Sequence, residues 1–253
     1  MPERMNMQEP TTRELRMYGL NAVRAVFARR PLALRKLWLS EERVGAMRDV
    51  LKWCAGNRVG YRIVPDDDLR KLAASSHHEG VVADVVRMPM PRLDGWLASR
   101  PNGRDCALWL DGVGNPHNLG AILRSAAHFG VSALLIPRDS DLQVSGAAAR
   151  VAEGGAEAVE LVRLPAPREA LAMLQRAGYA TAATLVAGGD DLFATALPQR
   201  LVYVMGAEQT GMDRGLAAEC DLRVSIPGTG AVESLNVAAA TAVLLAAWAR
   251  ISG

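Results

Sequence analysis

The chain has 253 residues, half of them hydrophobic and only 5% aromatic, and a formal net charge of +2. Those values exclude a disordered chain and allow one large or two modest domains, with cores built mostly from Leu, Val, Ile and Ala. Three widely spaced cysteines without a CxxC, and four histidines, argue against a disulfide framework or a zinc site, so no metal is expected.

The start of the chain, MPERMNMQEP, has no apolar secretory core. The longest apolar run, VAAATAVLLAAW, is too short to span a bilayer. A cytoplasmic protein with no membrane contact is the expectation. Residues 1–104 carry 19 Lys and Arg against 12 Asp and Glu, while residues 105–253 carry 10 against 15. The asymmetry suggests two modules, the basic one suited either to a polyanionic partner or simply to a solvated face.

Residues 1–13 read as a loose, flexible tail. LNAVRAVFARR has helical spacing, LRKLWLS alternates like a strand, and RVGAMRDVLKWCAGN reads as a second helix stopped by Gly56 and Asn57. YRIV is a short strand, DDDLRKLAA a helix with acidic residues at its N-terminus, and GVVADVV an apolar strand. The first module is thus a small α/β domain over residues 14–86. Proline and glycine mark residues 87–104 as a linker carrying a short helix.

The second module, residues 105–253, opens with the strand CALWLDGV and a helix from Asn118, which reads as its N-cap. VSALLIP, GYATAATLV, RLVYVMG and LRVSIPG are further strands, PREALAMLQRAG is a helix, and SLNVAAATAVLLAAWARI closes the chain as another. Apolar strands alternating with helices imply an α/β fold with a mostly parallel sheet covered on both faces.

Three strand ends are dense in polar residues and glycine: DGVGNPHNLG, MGAEQTGMD and IPGTGAVESLN. Ligands of α/β folds gather at such ends. The standard nucleotide, hydrolase and zinc-protease motifs are absent, which disfavours a Rossmann dehydrogenase or a P-loop enzyme. In the helix after the first turn, Leu119, Ile122, Ala126 and Phe129 share a face that packs on the sheet, and Arg124 projects away from it. Spacing alone leaves Arg124 either a solvated side chain or a phosphate ligand. Glu208 lies between Gly206 and Gly211, where a carboxylate can cap backbone amides or orient another side chain. Ser234 either caps the last helix or lines a pocket with its neighbours. In the first module, SSHHEGVV is a polar loop. Its His77 and His78 are adjacent and do not converge on a metal, but they suit contact with unpaired RNA bases.

Taken in order, NPHNLGAILRSA, MGAEQTGM and IPGTGAVESLNVAAAT resemble the three signature motifs of the SpoU or TrmH family of RNA 2′-O-ribose methyltransferases, within the SPOUT class. The resemblance covers essentially the whole chain. It implies a trefoil-knotted methyltransferase domain preceded by a small L30e-like domain that binds the RNA substrate. HNLG, RSAAHFGV, GAAARVAEGGAE, QRAGY and DLRVSIPGTG are similar to one branch, enterobacterial-type tRNA/rRNA methyltransferases. The implied activity is methyl transfer from S-adenosyl-L-methionine to a ribose 2′-oxygen of tRNA or rRNA by a homodimer. The alternative is a non-catalytic RNA-binding or ribosome-assembly protein that retains the fold.

The same resemblance matches the catalytic positions to Asn118, Arg124, Glu208, Ser234 and Asn236, and the cofactor-contacting positions to Gly206, Ile226 and Leu235. Arg124 is the family's proposed base for, or orienter of, the ribose hydroxyl. Two departures stand out. The chain has Ala238 where the family often has serine, and Gly228 replaces a side chain near the adenine pocket.

Overall fold

A computed structural model describes residues 14–206 and 211–250 and divides the chain into two compact units between Pro89 and Met90. The expected tail and Glu208 lie outside the described residues.

In the first unit the elements are β1 (Glu14–Tyr18), α1 (Leu20–Arg29), β2 (Leu34–Leu39), α2 (Arg48–Gly56), β3 (Gly60–Ile63), α3 (Asp66–Ala73) and β4 (Val81–Val86). The sheet order is β1-β4-β2-β3, with β4 antiparallel to both neighbours and β2 parallel to β3. Strand β1 adds one to the expected three. Side chains of a strand alternate between faces. Leu15, Met17, Leu37, Leu39, Ala83 and Val85 accordingly share one face and are all buried. The other face carries Arg16, Asp84 and Lys36 across neighbouring strands.

The loop before β4 corrects one expectation. His78 is not displayed for RNA; it is 3% exposed. Its Nδ1 accepts from the Gly80 N–H at 3.1 Å, and its Nε2 lies 3.5 Å from an Asp66 carboxylate oxygen. Glu79 has φ 54°, and its carboxylate accepts from Leu20 N–H, satisfying a donor at the start of α1 that Gly19 has no side chain to cap. Arg43 donates to the Glu79 carbonyl at 2.8 Å. Gly80 has φ 75°, and a Cβ there would meet Ser40 Oγ at 2.7 Å. Only His77 of the pair is exposed.

The second unit runs α4 (Leu93–Ala98), β5 (Asp105–Leu110), α5 (Pro116–His128), β6 (Ala133–Ile136), α6 (Gly146–Val151), β7 (Glu160–Arg163) and α7 (Pro167–Arg176), then β8 (Ala180–Leu185), β9 (Asp190–Asp191), β10 (Arg200–Met205), α8 (Arg214–Glu219), β11 (Leu222–Ser225) and α9 (Val237–Ala249). The segment expected as a linker belongs largely to this unit, because α4 buries Leu93 and Trp96 in its core. All seven strands are parallel, in the order β7-β6-β5-β10-β8-β11-β9. Successive strands build outward from β5 through β6 to β7. The chain then returns to the other side, and β10 takes the place between β5 and β8.

Each face of the sheet carries its own core. Leu108, Leu110, Leu134, Tyr203 and Met205 pack with Leu119, Ile122 and Leu123 of α5 and Leu244, Leu245 and Trp248 of α9. Ala107, Trp109, Leu135, Val202 and Val204 pack with Trp96 of α4, Leu171 and Leu174 of α7 and Leu216 of α8. This division is the two-sided covering expected from the apolar strands. Helix α5 also presses on α6. Built on Gly120, a Cβ would meet both the Ala148 carbonyl oxygen and Val151 Cβ at 2.7 Å, so only glycine fits the crossing.

Candidate active site

Two helix starts meet at the carboxyl ends of the central strands. Helix α5 follows β5 and α9 follows β11, and the two helices pack on each other. The N-cap of α5 is Asn115, whose side chain accepts from His117 N–H at 2.9 Å, with Pro116 in the first turn. Asn118, expected as the cap, therefore sits inside the helix. The cap of α9 is Asn236 rather than Ser234: its Oδ1 accepts from Ala238 N–H at 2.9 Å. In each case an asparagine oxygen two residues upstream reaches an orphan amide.

Capping fixes how Asn236 points. With Oδ1 committed to its own helix, its Nδ2 donates to Asn118 Oδ1 at 3.2 Å. This bond joins two turns 118 residues apart in sequence. Ser234 and Leu235 lie exposed just upstream, and Ile226, half-buried, packs against the core at the end of β11. Among the described residues, none from 226 to 235 makes a backbone-to-backbone hydrogen bond. Apart from Ala231 N–H, which donates to Thr229 Oγ1 at 3.4 Å, that run of peptide groups offers donors and acceptors to a ligand such as a nucleoside.

Gly206 ends β10. A Cβ there would collide with the backbone of Gly211 and Met212, so the close approach of those two residues requires glycine at 206. Thr241 Oγ1 of α9, which donates to the Val237 carbonyl at 2.7 Å, lies 3.3 Å from Met205 Sδ, so α9 packs on the same strand end. Gly206, Ile226, Leu235, Ser234 and Asn236 thus come from the strand-end turns of one sheet and Asn118 from the first turn of α5 beside them, and their glycine and exposed backbone fit a nucleoside cofactor.

Arg124 is on α5 but not with this group. Six residues separate it from Asn118, which turns it about 120° around the helix axis. It is exposed and, among the described residues, its guanidinium makes no hydrogen bond or ion pair.

Sequence reasoning passed over Asp111, which directly follows β5 and donates its N–H to the Met205 carbonyl at 2.8 Å. It is half-buried at the rim of the site. Burial raises its carboxyl pKa above the ordinary aspartate range, and the neighbouring charge of Asp213 raises it further. Asp213 itself caps α8, accepting from Leu216 N–H at 2.8 Å. A polar residue closing an apolar run, as in LWLDG, was the available signal.

Among the described residues no cluster of His, Cys, Asp or Glu is arranged to hold a metal ion. None of their helices is long and apolar enough to cross a membrane.

Comparison with known proteins agrees with this geometry. Residues 105–246 match the SpoU rRNA Methylase family, and residues 17–90 match the RNA 2′-O ribose methyltransferase substrate-binding domain. The chain is 39% identical to the uncharacterized tRNA/rRNA methyltransferase YfiF of Escherichia coli O157:H7 over 94% of its own length and 68% of that protein. It is 37% identical to the 23S rRNA (guanosine-2′-O-)-methyltransferase RlmB of Pseudomonas aeruginosa, over 91% of this chain and 94% of that one. Among solved structures it resembles the SpoU methyltransferase AviRb from Streptomyces viridochromogenes, in complex with the cofactor AdoMet. That likeness has a TM-score of 0.78 and 25% identity over 95% of this chain and 92% of the other. With both of its units matched in order and its strand-end turns gathered at one edge of a parallel sheet, the chain belongs to the SpoU family of RNA methylases.

Proposed function

We propose that this protein transfers a methyl group from S-adenosyl-L-methionine to the 2′-oxygen of a ribose in rRNA or tRNA. The observation that carries the reading is the Asn236–Asn118 hydrogen bond, which locks the first and third signature turns together where the backbone is open to a nucleoside. When bound, the cofactor supplies a methyl group on a sulfonium, already activated for transfer.

The chain's own task is to align the hydroxyl and manage its proton. Gly206 and the backbone of residues 226–235 hold the nucleoside of the cofactor. Asn118 and Asn236 keep the two helix starts in register, and Ser234 and Glu208 complete the set. Arg124 carries a planar guanidinium, so its role is to orient the ribose hydroxyl and the adjoining phosphate by charge and paired N–H donors.

Because Arg124 faces away from Asn118 on its own helix, we assign it to the site of a second copy, in a homodimer. The insertion of β10 between β5 and β8 supports the trefoil-knotted form of the domain. An RNA substrate and this cofactor support a cytoplasmic enzyme.

Arg124→Ala tests the assignment. Transfer of labelled methyl from S-adenosyl-L-methionine to RNA is expected to be lost, with cofactor affinity by calorimetry unchanged. Methylation retained at saturating RNA would remove Arg124 from the mechanism.

A further inference from the structure

The first unit has a charge pattern that its polar loop does not explain. Residues 14–89 contain 14 Lys and Arg against 9 Asp and Glu. The acids concentrate where β2 and β3 end and β4 begins: Glu41, Glu42, Asp66, Asp67, Asp68 and Glu79. Two of the cations there are ion-paired, Arg70 with Asp66 and Asp67 and Lys71 with Asp68, while Arg43 donates to the Glu79 carbonyl, so the acids stay in excess. That end, which includes the His77 loop, repels a phosphate chain.

The opposite end of β2 is built differently. The pairing of β2 with β4 shifts between Leu34 and Lys36, leaving Arg35 as the extra residue of a bulge. Bulges break alternation and re-aim side chains. Here the result is two consecutive exposed cations, Arg35 and Lys36, in a strand whose next three residues are buried. Lys36 Nζ sits 4.8 Å and the Arg16 guanidinium 5.2 Å from the Trp38 ring centre, so the indole face holds both cations in place. Arg16 is neutralised by Asp84, at 2.8 and 2.9 Å. Arg35 donates only to the Leu32 carbonyl among the described residues, which leaves its charge uncompensated by any acid. Arg29 is exposed at the end of α1, and Leu32 stands 76% exposed at the tip of the intervening turn.

Resting on the reading of the chain as an RNA methyltransferase, we propose that this bulged edge, with Arg35 and Lys36 at its centre, is the surface on which the first unit tracks the phosphate backbone of its RNA. Two uncompensated cations held on a rigid strand match successive phosphates, and Leu32 supplies apolar contact to a base or sugar beside them. The acidic end confines His77 to contacts with bases rather than phosphates.

The test is fluorescence anisotropy with labelled bulk tRNA and hydrolysed 23S rRNA over a range of KCl. Each lost phosphate contact lowers the slope of log K against log salt by about 0.7 to 0.9. Arg35→Gln with Lys36→Gln is expected to lower it by about 1.4 to 1.8 and to weaken binding about 15- to 30-fold at 0.15 M. Arg35→Lys with Lys36→Arg, which keeps both charges, is expected to retain the slope. His77→Ala is expected to weaken binding without changing the slope. Cofactor affinity should be unchanged in all three, and the charge-preserving variant separates lost contacts from lost folding. RNA binding by the wild type with the slope unchanged in the Gln variant overturns this surface and leaves the methyltransferase reading standing. A wild type that binds neither RNA overturns both.

Discussion

Replacement of Asn236 separates two jobs done by one side chain. Its Oδ1 caps α9 and its Nδ2 holds Asn118. Loss of an asparagine cap costs about 1 kcal/mol. The side-chain bond is reached by water, since Asn236 is exposed, so its net worth falls at the low end, about 0.5 kcal/mol. Asn236→Ala is therefore expected to cost about 1.5 kcal/mol. Asn236→Ser keeps a capping oxygen but is too short to reach Asn118, and is expected to cost about 0.5 kcal/mol. Asn118→Ala loses the same bond but gains helix propensity, so its own stability change is a poor guide. A double-mutant cycle cancels that gain and isolates a coupling of about 0.5 kcal/mol. Urea unfolding followed by tryptophan fluorescence measures each corner, with a separate transition fitted for each unit. Trp248, buried on α9, reports on the helix in question. A coupling indistinguishable from zero, or Ser and Ala variants of equal stability, would refute the argument that capping orients Asn236 toward Asn118.

Other substitutions probe independent features. Gly120→Ala forces a Cβ into the Ala148 carbonyl and Val151, and is expected to destabilise the second unit by about 1 to 3 kcal/mol in the same unfolding experiment. Asp111→Asn removes a carboxylate whose folded pKa is raised by burial and by Asp213. A raised pKa means that the folded state binds the proton more tightly, so the wild-type carboxylate opposes folding once pH rises through that folded pKa. The variant is expected to melt higher than wild type at neutral pH, with the difference vanishing as pH falls below the ordinary aspartate range. An advantage that persists in acid would point to a different cause. His78→Ala leaves the Gly80 amide without its acceptor and is expected to cost the first unit about 1 to 3 kcal/mol, whereas His77→Ala at the exposed neighbour should stay within about 0.5 kcal/mol. Thermal melts of the two variants decide between a brace and a displayed pair.

The sequence by itself determined the fold class, the main helices and the apolar strands, because hydrophobic periodicity reports which face of an element is buried. Leu119, Ile122 and Ala126 were legible in this way, and so was the exposure of Arg124. It also determined which turns matter, through motif order and residue type. Short elements carried too little pattern: β7 buries only Val162 fully, and α6 is six residues of mostly Gly and Ala. Helix starts were misplaced for a related reason. Asn115 and Asn118, or Ser234 and Asn236, are all competent capping types, and only the path of the backbone into the helix selects which oxygen reaches an orphan amide. Tertiary structure alone decided that His78 turns inward, that Asp111 meets the field of Asp213, and that Asn236 reaches Asn118. Each depends on a neighbour distant in sequence, brought close by a strand order in which β10 enters between β5 and β8. Local pattern sets what a segment can become. Which polar atoms then find one another is settled by the packing of the apolar faces, which carries no record of those pairings in any single stretch of chain.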